Sequence, residues 1–231
     1  MRALSTYKNI VVLTGAGISR SAGLATYRGP GGLWTDEDKV KLSDVSALRA
    51  RHDEVCGMFW TFRTAIIQAK PTAAHRALAA FEERLPESAS FTLLTQNVDG
   101  LHQAVGSRNV CELHGSLRKW RCEACGVEIE PATSEAPAHC GALMRPGVVM
   151  FGEALGVEAE RTMKHALRDC DLFVGIGTSG TVEPAASLVR WAALNQARTV
   201  ILNLEIDDDM RALYRETHAG ESDVTVPTLF A

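Results

Sequence analysis

The chain has 231 residues and a net charge of -4 at neutral pH, and 46% of its residues are hydrophobic. This length and composition are typical of a globular chain that buries a sizeable core, in one large or two small domains. The charge gives no electrostatic reason to expect nucleic-acid binding. The sequence shows neither an apolar run of membrane-spanning length nor a secretory apolar core at its N-terminus. We therefore expect a cytoplasmic protein.

A short run of β-forming residues, 9–13, leads directly into Thr14, Gly15, Ala16 and Gly17. A strand followed by Gly-x-Gly and a helix is typical of a dinucleotide site, because small residues let backbone N–H groups approach a pyrophosphate. The third glycine of the usual fingerprint is missing, since position 20 is an arginine. A plain tight turn is the alternative interpretation.

The next segment, 24–34, is rich in Gly and Pro, which disfavours an ordered helix or strand. It nevertheless carries Tyr27, Arg28 and Trp34. A loop with aromatic and guanidinium groups is suited to fold over a bound ligand and exclude water. A simple surface loop would explain the glycines but not the aromatic residues.

Residues 43–68 carry apolar side chains at helical spacing, which predicts a helix with one face in the core. Trp60 and Arg63 lie three positions apart on the adjoining face, so their side chains can reach one point in space. A second helix is predicted over 72–84, with Pro71 as its initiator.

The strand signal of 91–95 stops abruptly at Gln96, Asn97 and Asp99, and a second apolar run, 110–113, stops at His114. In an open α/β sheet, ligands bind at the carboxyl ends of the strands. These polar side chains are therefore expected in one crevice. A turn rich in amides beside a surface histidine is the alternative.

Two further buried-type strands, 171–176 and 199–204, also end in polar or small residues. An acid at such a strand end can bind ribose hydroxyls. Surface loops are the alternative account of each. The residues concerned are Gly177, Thr178, Ser179, Asn203 and Glu205.

Three of the six cysteines, Cys122, Cys125 and Cys140, lie close together, which in a reducing compartment indicates metal rather than disulfides. Their spacing is similar to that of a zinc ribbon, but Pro137 stands where the partner of Cys140 is expected. His139 is a candidate fourth ligand, although two adjacent residues rarely face one ion. Structural zinc and a ribbon held by packing alone both stay open.

Taken together, these motifs resemble the sirtuins, which are NAD-dependent protein deacylases. Pro137 is the one departure from the family pattern that affects a predicted feature, the zinc site. The matching motifs occur in family order over nearly the whole chain: GAGIS at 15–19, TYRG at 26–29, TQNVDGLH at 95–102, HG at 114–115, the cysteine turns, RPGVVMFGE at 145–153, GTS at 177–179, 203–205 and GESDVTVP at 220–227.

The resemblance implies an α/β fold, with a Rossmann-like parallel sheet and a smaller inserted domain made of a helical module and a zinc-ribbon-like module. The large domain of this single catalytic unit would comprise about 1–35, 72–118 and 147–231. The small domain would comprise about 36–71 and 119–146. If structural Zn²⁺ is bound there, its ligands would be Cys122, Cys125 and Cys140, with His139 as the candidate fourth.

NAD would lie between the two domains and be consumed as a co-substrate, with His114 as general base and Asn97 and Asp99 as the other catalytic residues. The implied NAD contacts are Gly15, Ala16, Gly17, Tyr27, Arg28, Trp34, Gln96, Asn97, Asp99, Gly177, Thr178, Ser179, Asn203 and Glu205. The implied contacts of the acylated protein or peptide are Trp60, Arg63, Val148, Phe151, Gly152, Glu153, Gly180 and Val182.

Sirtuins that remove succinyl or malonyl groups carry a Tyr-x-x-Arg pair in the acyl pocket, and Trp60 with Arg63 is the corresponding pair here. We therefore expect activity on acidic acyl groups as well as on acetyl-lysine, because an arginine can pair bidentately with a carboxylate. The alternatives are mono-ADP-ribosyl transfer to protein at the same NAD site and a non-catalytic NAD sensor. We expect a monomer with no nucleic-acid or membrane partner.

Overall fold

The computed structural model describes residues 4–26, 32, 35–131 and 137–231, with the backbone alone at 142–143. Strands and helices alternate along most of this chain. The strands are β1 (Asn9–Thr14), β2 (Ser90–Thr95), β3 (Val110–Glu112), β4 (Gly115–Cys122), β5 (Glu128–Ile129), β6 (Ala138–His139), β7 (Ala142–Val148), β8 (Leu172–Ile176), β9 (Arg198–Asn203) and β10 (Glu216–Ala219).

Six strands form one parallel sheet in the order β10-β9-β8-β1-β2-β3. Its register aligns the carboxyl ends, since Thr14 lies opposite both Thr95 and Ile176, and Ile176 lies opposite Leu202. The segments that follow β1, β2, β8 and β9 therefore start at the same edge of the sheet, as the sequence predicted.

The helices are α1 (Glu37–Leu42), α2 (Val45–Ala50), α3 (His52–Gln68), α4 (Ala73–Arg84), α5 (Leu101–Ala104), α6 (Val157–Arg168), α7 (Leu188–Leu194), α8 (Asp208–Leu213) and α9 (Ser222–Leu229). The helix predicted over 43–68 is divided at Arg51, whose ψ of 41° is not helical. Thr72 caps α4 by accepting a hydrogen bond from the N–H of His75. Among the described residues, no helix combines the length and the apolar character needed to cross a membrane.

Both faces of the parallel sheet are covered, because alternate side chains of a strand point to opposite faces. Ile10 and Val12 of β1 pack with α4 and α9 on one face. Val11 and Leu13 pack with α6 and α7 on the other. Burial on both faces explains why these strands are continuous apolar runs in the sequence.

The remaining strands form a smaller antiparallel sheet in the order β5-β4-β7-β6. It packs against α1, α2 and α3 through apolar clusters that include Val55 and Phe59 of α3 and Leu117 of β4. The α/β fold with a smaller module of helices and a cysteine-bearing sheet is thereby confirmed. The domain boundaries of about 36–71 and 119–146 stay a prediction.

Candidate active site

A cleft of about 910 Å³ opens at the carboxyl edge of the parallel sheet, between that edge and the smaller module. Most of the site residues predicted from the sequence line it. They are Gly15, Ala16, Gly17, Gln96, Asn97, His114, Val148, Phe151, Gly152, Glu153, Gly177, Thr178, Ser179, Val182, Asn203 and Glu205.

Other predicted residues lie elsewhere. Asp99 is buried behind the cleft wall, and Gly180 lies between the lining residues Ser179 and Thr181. The predicted cofactor contacts Tyr27, Arg28 and Trp34 fall outside the described residues.

The floor of the cleft is built from glycines in close backbone contact. A Cβ on Gly17 would lie 2.6 Å from the Cα of Gly177, and one on Gly15 would lie 2.7 Å from the Gly177 carbonyl oxygen. Gly177 itself has a φ of +59°, which L side chains rarely adopt. The helix expected after the Gly-x-Gly turn begins at Ala16 and is a 3-10 helix, Ala16–Ala22. The close approach of Gly15 and Gly17 to the loop after β8 thus leaves no room for a side chain at either position.

The side chain of Asn97 is held by hydrogen bonds to the segment that follows β1. Its Nδ2 donates to the Gly15 carbonyl at 3.1 Å and to the Ser19 hydroxyl at 3.2 Å. The Ser19 hydroxyl in turn donates to the Asp99 carboxylate at 2.7 Å. The buried Oδ1 of Asn97 has no hydrogen-bond partner within the described part of the chain. Because a buried acceptor left unpaired costs about 1–3 kcal/mol, this atom is suited to accept a hydrogen bond from a bound ligand.

His114 lies in the cleft wall immediately before β4. Its Nδ1–H donates to the Gln96 carbonyl oxygen at 3.0 Å, an assignment that leaves Nε2 as the acceptor. Burial lowers the pKa of His114, while the Gln96 carbonyl opposes this shift. The imidazole is therefore neutral near pH 7, which is the state a general base requires.

Side chains also connect three of the strand ends along the cleft. Gln96 Nε2 donates to the Thr178 hydroxyl at 2.8 Å, and Asn203 Nδ2 donates to the Thr178 carbonyl at 3.1 Å. These bonds join the loops after β2, β8 and β9. Glu205, two residues beyond, is exposed and lines the cleft.

Trp60 and Arg63 are not among the residues that line the cleft, so their assignment to the acyl pocket stays a prediction. Arg63 is only 5% exposed, and its guanidinium donates to the carbonyls of Pro131 at 2.9 Å and Arg118 at 3.4 Å. Trp60 packs against Trp120 with ring centroids 5.6 Å apart. Instead Phe59, which the sequence analysis assigned only to the core, lines the cleft. An i, i+3 spacing identifies a shared helix face but not what that face meets.

The three clustered cysteines and His139 converge, with all four ligand atoms within 4.8 Å of one another. Cys125 and Cys140 have sulfurs 3.7 Å apart, close to the separation of about 3.8 Å expected for Zn–S bonds of about 2.3 Å at a tetrahedral ion. Cys140 adopts a φ of 54°, which lets it face the same point as the adjacent His139. The donor set therefore fits structural zinc, with His139 in place of the cysteine that Pro137 replaces.

A buried histidine pair, which the sequence analysis missed, lies behind the cleft. The rings of His75 and His102 have centroids 4.6 Å apart, and His102 Nε2 lies 3.0 Å from the Thr14 hydroxyl. Burial lowers the pKa of His75 to about 4, although Asp99 and Asp223 oppose the shift. Burial likewise lowers the pKa of His102. Isolated histidines in sequence carry no signal that they will pair.

We expect the free energy of unfolding to decrease as the pH falls below about 6.5, the ordinary pKa that these histidines regain on unfolding. The folded state keeps both imidazoles neutral, whereas the unfolded chain binds protons. The shift of His75 alone corresponds to about 3 kcal/mol, lost between pH 6.5 and about 4. Urea unfolding at pH 7.5, 6.0 and 5.0 measures this slope, which His75→Asn should flatten and the exposed control His165→Ala should not. Equal stability at pH 7.5 and 5.0 would contradict the expectation.

A model of the Sir2 family matches residues 15–184. An NAD-dependent protein deacylase of Aquifex aeolicus is 42% identical over 203 residues, which cover 85% of this chain and 84% of that protein. Two solved structures are also similar. A Sir2 homolog–NAD complex aligns with a TM-score of 0.89 at 32% identity, covering 99% of this chain and 90% of the other. A Sir2–p53 peptide–NAD⁺ complex aligns with a TM-score of 0.84 at 27% identity, covering 98% and 93%. The chain belongs to the Sir2 family.

Proposed function

We propose that this protein removes acyl groups from protein lysines and consumes NAD in doing so. The products are nicotinamide, free lysine and O-acyl-ADP-ribose. The observation that carries the proposal is that His114, neutral and held through Nδ1, lines the same cleft as Asn97, whose buried Oδ1 has no partner among the described residues. The relatives described above, one an NAD-dependent deacylase and one a complex with both peptide and NAD⁺, support it.

NAD bound in this cleft would supply an activated ribose carbon from which nicotinamide departs. The small residues 15–17, with Gly177 packed against them, leave room for the pyrophosphate. Asn203 and Glu205, at the end of β9, are suited to the adenosine hydroxyls. The Oδ1 of Asn97 is suited to accept a hydrogen bond from the nicotinamide side of the molecule.

His114 would act as the general base. The acyl oxygen would first displace nicotinamide at the ribose carbon. A ribose hydroxyl would then give its proton to the lone pair on Nε2 of His114 as its oxygen adds to the acyl carbon, and one water would complete the exchange as the bond from that carbon to the lysine nitrogen breaks. The bond from Nδ1–H to the Gln96 carbonyl holds the tautomer and stabilises the imidazolium that forms. Asp99 does not touch the cleft, so we assign it the task of holding Asn97 through Ser19.

The acylated lysine would enter on an extended peptide that adds beside residues 148–153. The cleft is lined by Val148, Phe151 and Gly152 of that segment, and also by Val182 of the loop after β8. Backbone pairing of this kind gives affinity with little sequence preference. The aromatic ring of Phe59 is suited to cover the acyl chain and exclude water.

Mass spectrometry of an acetyl-lysine peptide incubated with the protein and NAD tests this function. We expect loss of the acetyl group and stoichiometric release of nicotinamide. A gain of ADP-ribose on the peptide or the protein would favour mono-ADP-ribosyl transfer instead. No change in any mass would leave an NAD-binding protein without this catalysis.

The acyl groups that the protein removes depend on the residues around the acyl chain. Succinyl or malonyl removal is supported by the resemblance of the Trp60 and Arg63 pair, but the guanidinium of Arg63 is committed to two carbonyls. To bind an acyl carboxylate, it must exchange the carbonyl of Pro131 for that group. Phe59 of α3 lines the cleft with an aromatic ring, which favours an apolar acyl chain.

If that exchange occurs, desuccinylation will be measurable and Arg63→Met will lower it at least about tenfold more than deacetylation, since a charge-assisted bond is lost. A panel of acetyl, malonyl and succinyl peptides of one sequence measures this. Arg118→Met, which removes a half-exposed guanidinium outside the cleft lining, is the control. Equal losses for both acyl groups, or no desuccinylation at all, would leave a deacetylase in which Arg63 is structural.

A further inference from the structure

We propose that the ion pair between Arg145 and Glu153 sets the shape of the segment 148–153, and that Glu153 is a positioning residue rather than a contact of the substrate. This inference rests on the proposed function, since that segment is where the acylated peptide would add. The resemblance to sirtuins implied only that Glu153 lines the substrate site.

The pair is nearly removed from solvent. The side chain of Arg145 is 2% exposed and that of Glu153 is 20% exposed. The guanidinium meets the carboxylate through two nitrogens and both oxygens, with Nη1 donating to Oε1 and Nη2 donating to Oε2 at 2.8 Å. A bidentate pair of this kind fixes direction as well as distance. Burial raises the pKa of Glu153, but the bonds from Arg145 and from the N–H of Met150 hold it below its usual value.

Both partners also bond to the backbone of the segment. Arg145 Nη2 donates to the carbonyl of Val148 at 2.9 Å. Oε2 of Glu153 accepts the N–H of Met150 at 2.8 Å, and the N–H of Glu153 donates to the carbonyl of Met150 at 3.0 Å. The pair therefore closes the segment into a loop that is held at its start, middle and end.

The outer edge of the same segment is bonded to the rest of the site. The N–H of Val149 donates to the carbonyl of His114 at 2.9 Å. The N–H of Phe151 donates to the carbonyl of Ser43, and the carbonyl of Phe151 accepts the N–H of Val45 at the start of α2, both at 2.9 Å. The segment that would receive the peptide is thus tied to the backbone of the proposed base. Loosening the ion pair would move the peptide relative to His114 without touching the glycine floor under NAD.

Glu153→Gln is the test, because it keeps the size of the side chain while removing the charge that Arg145 pairs with. We expect the KM for an acetyl-lysine peptide to rise by about tenfold or more, as for the loss of a hydrogen bond to a charged group. The KM for NAD should change by less than about twofold, since no bond of the pair reaches those of the proposed NAD contacts that the structure describes. Binding of a fluorescent acetyl-peptide should weaken in parallel with the peptide KM.

A buried arginine left without its partner also destabilises the fold, so stability has to be separated from positioning. The double variant Arg145→Met/Glu153→Leu removes both charges and should recover most of the melting temperature lost in Glu153→Gln. It restores none of the bonds to Val148 and Met150. The peptide KM should therefore stay raised.

The matched control is a second pair, Arg198 with Glu216, whose side chains are 16% and 23% exposed. It lies at the amino ends of β9 and β10, the opposite edge of the sheet from the cleft. Glu216→Gln should lower the melting temperature but leave the peptide KM unchanged.

An unchanged peptide KM in Glu153→Gln, or a wild-type KM in the double variant, would overturn the inference. A peptide KM raised equally by Glu216→Gln would overturn it too, because general destabilisation would then explain the effect. A wild-type protein that does not deacylate the peptide would overturn the proposed function itself, and this inference with it.

Discussion

His114→Ala should lower turnover of an acetyl-lysine peptide by about two to four orders of magnitude, the usual contribution of a general base. NAD binding should persist, because the glycine floor and the residues after β8 and β9 are untouched by the change. Single-turnover deacetylation measures the first effect, and calorimetric titration with NAD measures the second.

His165→Ala is the control, since that imidazole is exposed on α6 and does not line the cleft. Deacylation by His114→Ala near the wild-type rate would show that another group moves the proton. Loss of both turnover and NAD binding would instead mean that His114 holds the cleft together.

The pH profile gives an independent reading of the same residue. Burial lowers the pKa of His114 from its ordinary value of 6.5, so the imidazole stays unprotonated to a lower pH than a free histidine. The acid limb of kcat/KM should therefore lie below pH 6.5 in the wild type, because that limb reports the free enzyme. An acid limb above pH 6.5 would exclude His114 as the base.

The ends of the parallel strands could be predicted because their signal is local. Apolar runs that stop at Gln96, at His114 and at Gly177 are visible in the sequence, and parallel strands must bring such ends to one edge. The register of the sheet, with Thr14 opposite Thr95 and Ile176, then aligns these strand ends along the cleft.

What could not be predicted depends on contacts between distant parts of the chain. The face of α3 that carries Arg63 meets the carbonyls of Arg118 and Pro131, and nothing in the helix itself indicates that partner. The glycine contact between residues 17 and 177 is equally remote in sequence. Local spacing predicts which side chains share a helix face, whereas tertiary packing decides whether that face lines the cleft or is buried in the interior of the protein.

The zinc site lies between these two cases. The sequence spacing predicted that Cys122, Cys125 and Cys140 cluster. It did not decide whether His139 is a ligand, because His139 is adjacent to Cys140. Backbone conformation decides that point, since the φ of 54° at Cys140 allows both side chains to face one ion. Residue propensities do not predict a left-handed backbone conformation for a cysteine at position 140.

We expect wild-type protein purified without chelator to contain one zinc ion, and a strong chelator to lower its melting temperature. Binding free energy at a structural zinc site is folding free energy, about 10–16 kcal/mol in small zinc peptides. Even about 3 kcal/mol of lost binding would lower the melting temperature of a chain this long by roughly 6–12 °C.

Cys125→Ser is the matched variant, because it removes one exposed ligand from the converging set and leaves the buried Cys122 in place. It should already melt at the lowered temperature, and chelator should lower it no further. His139→Ala should weaken zinc retention as well. Pro137→Ala should not weaken it, because Pro137 supplies no ligand atom. Elemental analysis that finds no zinc in the wild type, with a melting temperature insensitive to chelator, would show instead that packing around Trp120 and Met144 alone holds the smaller sheet.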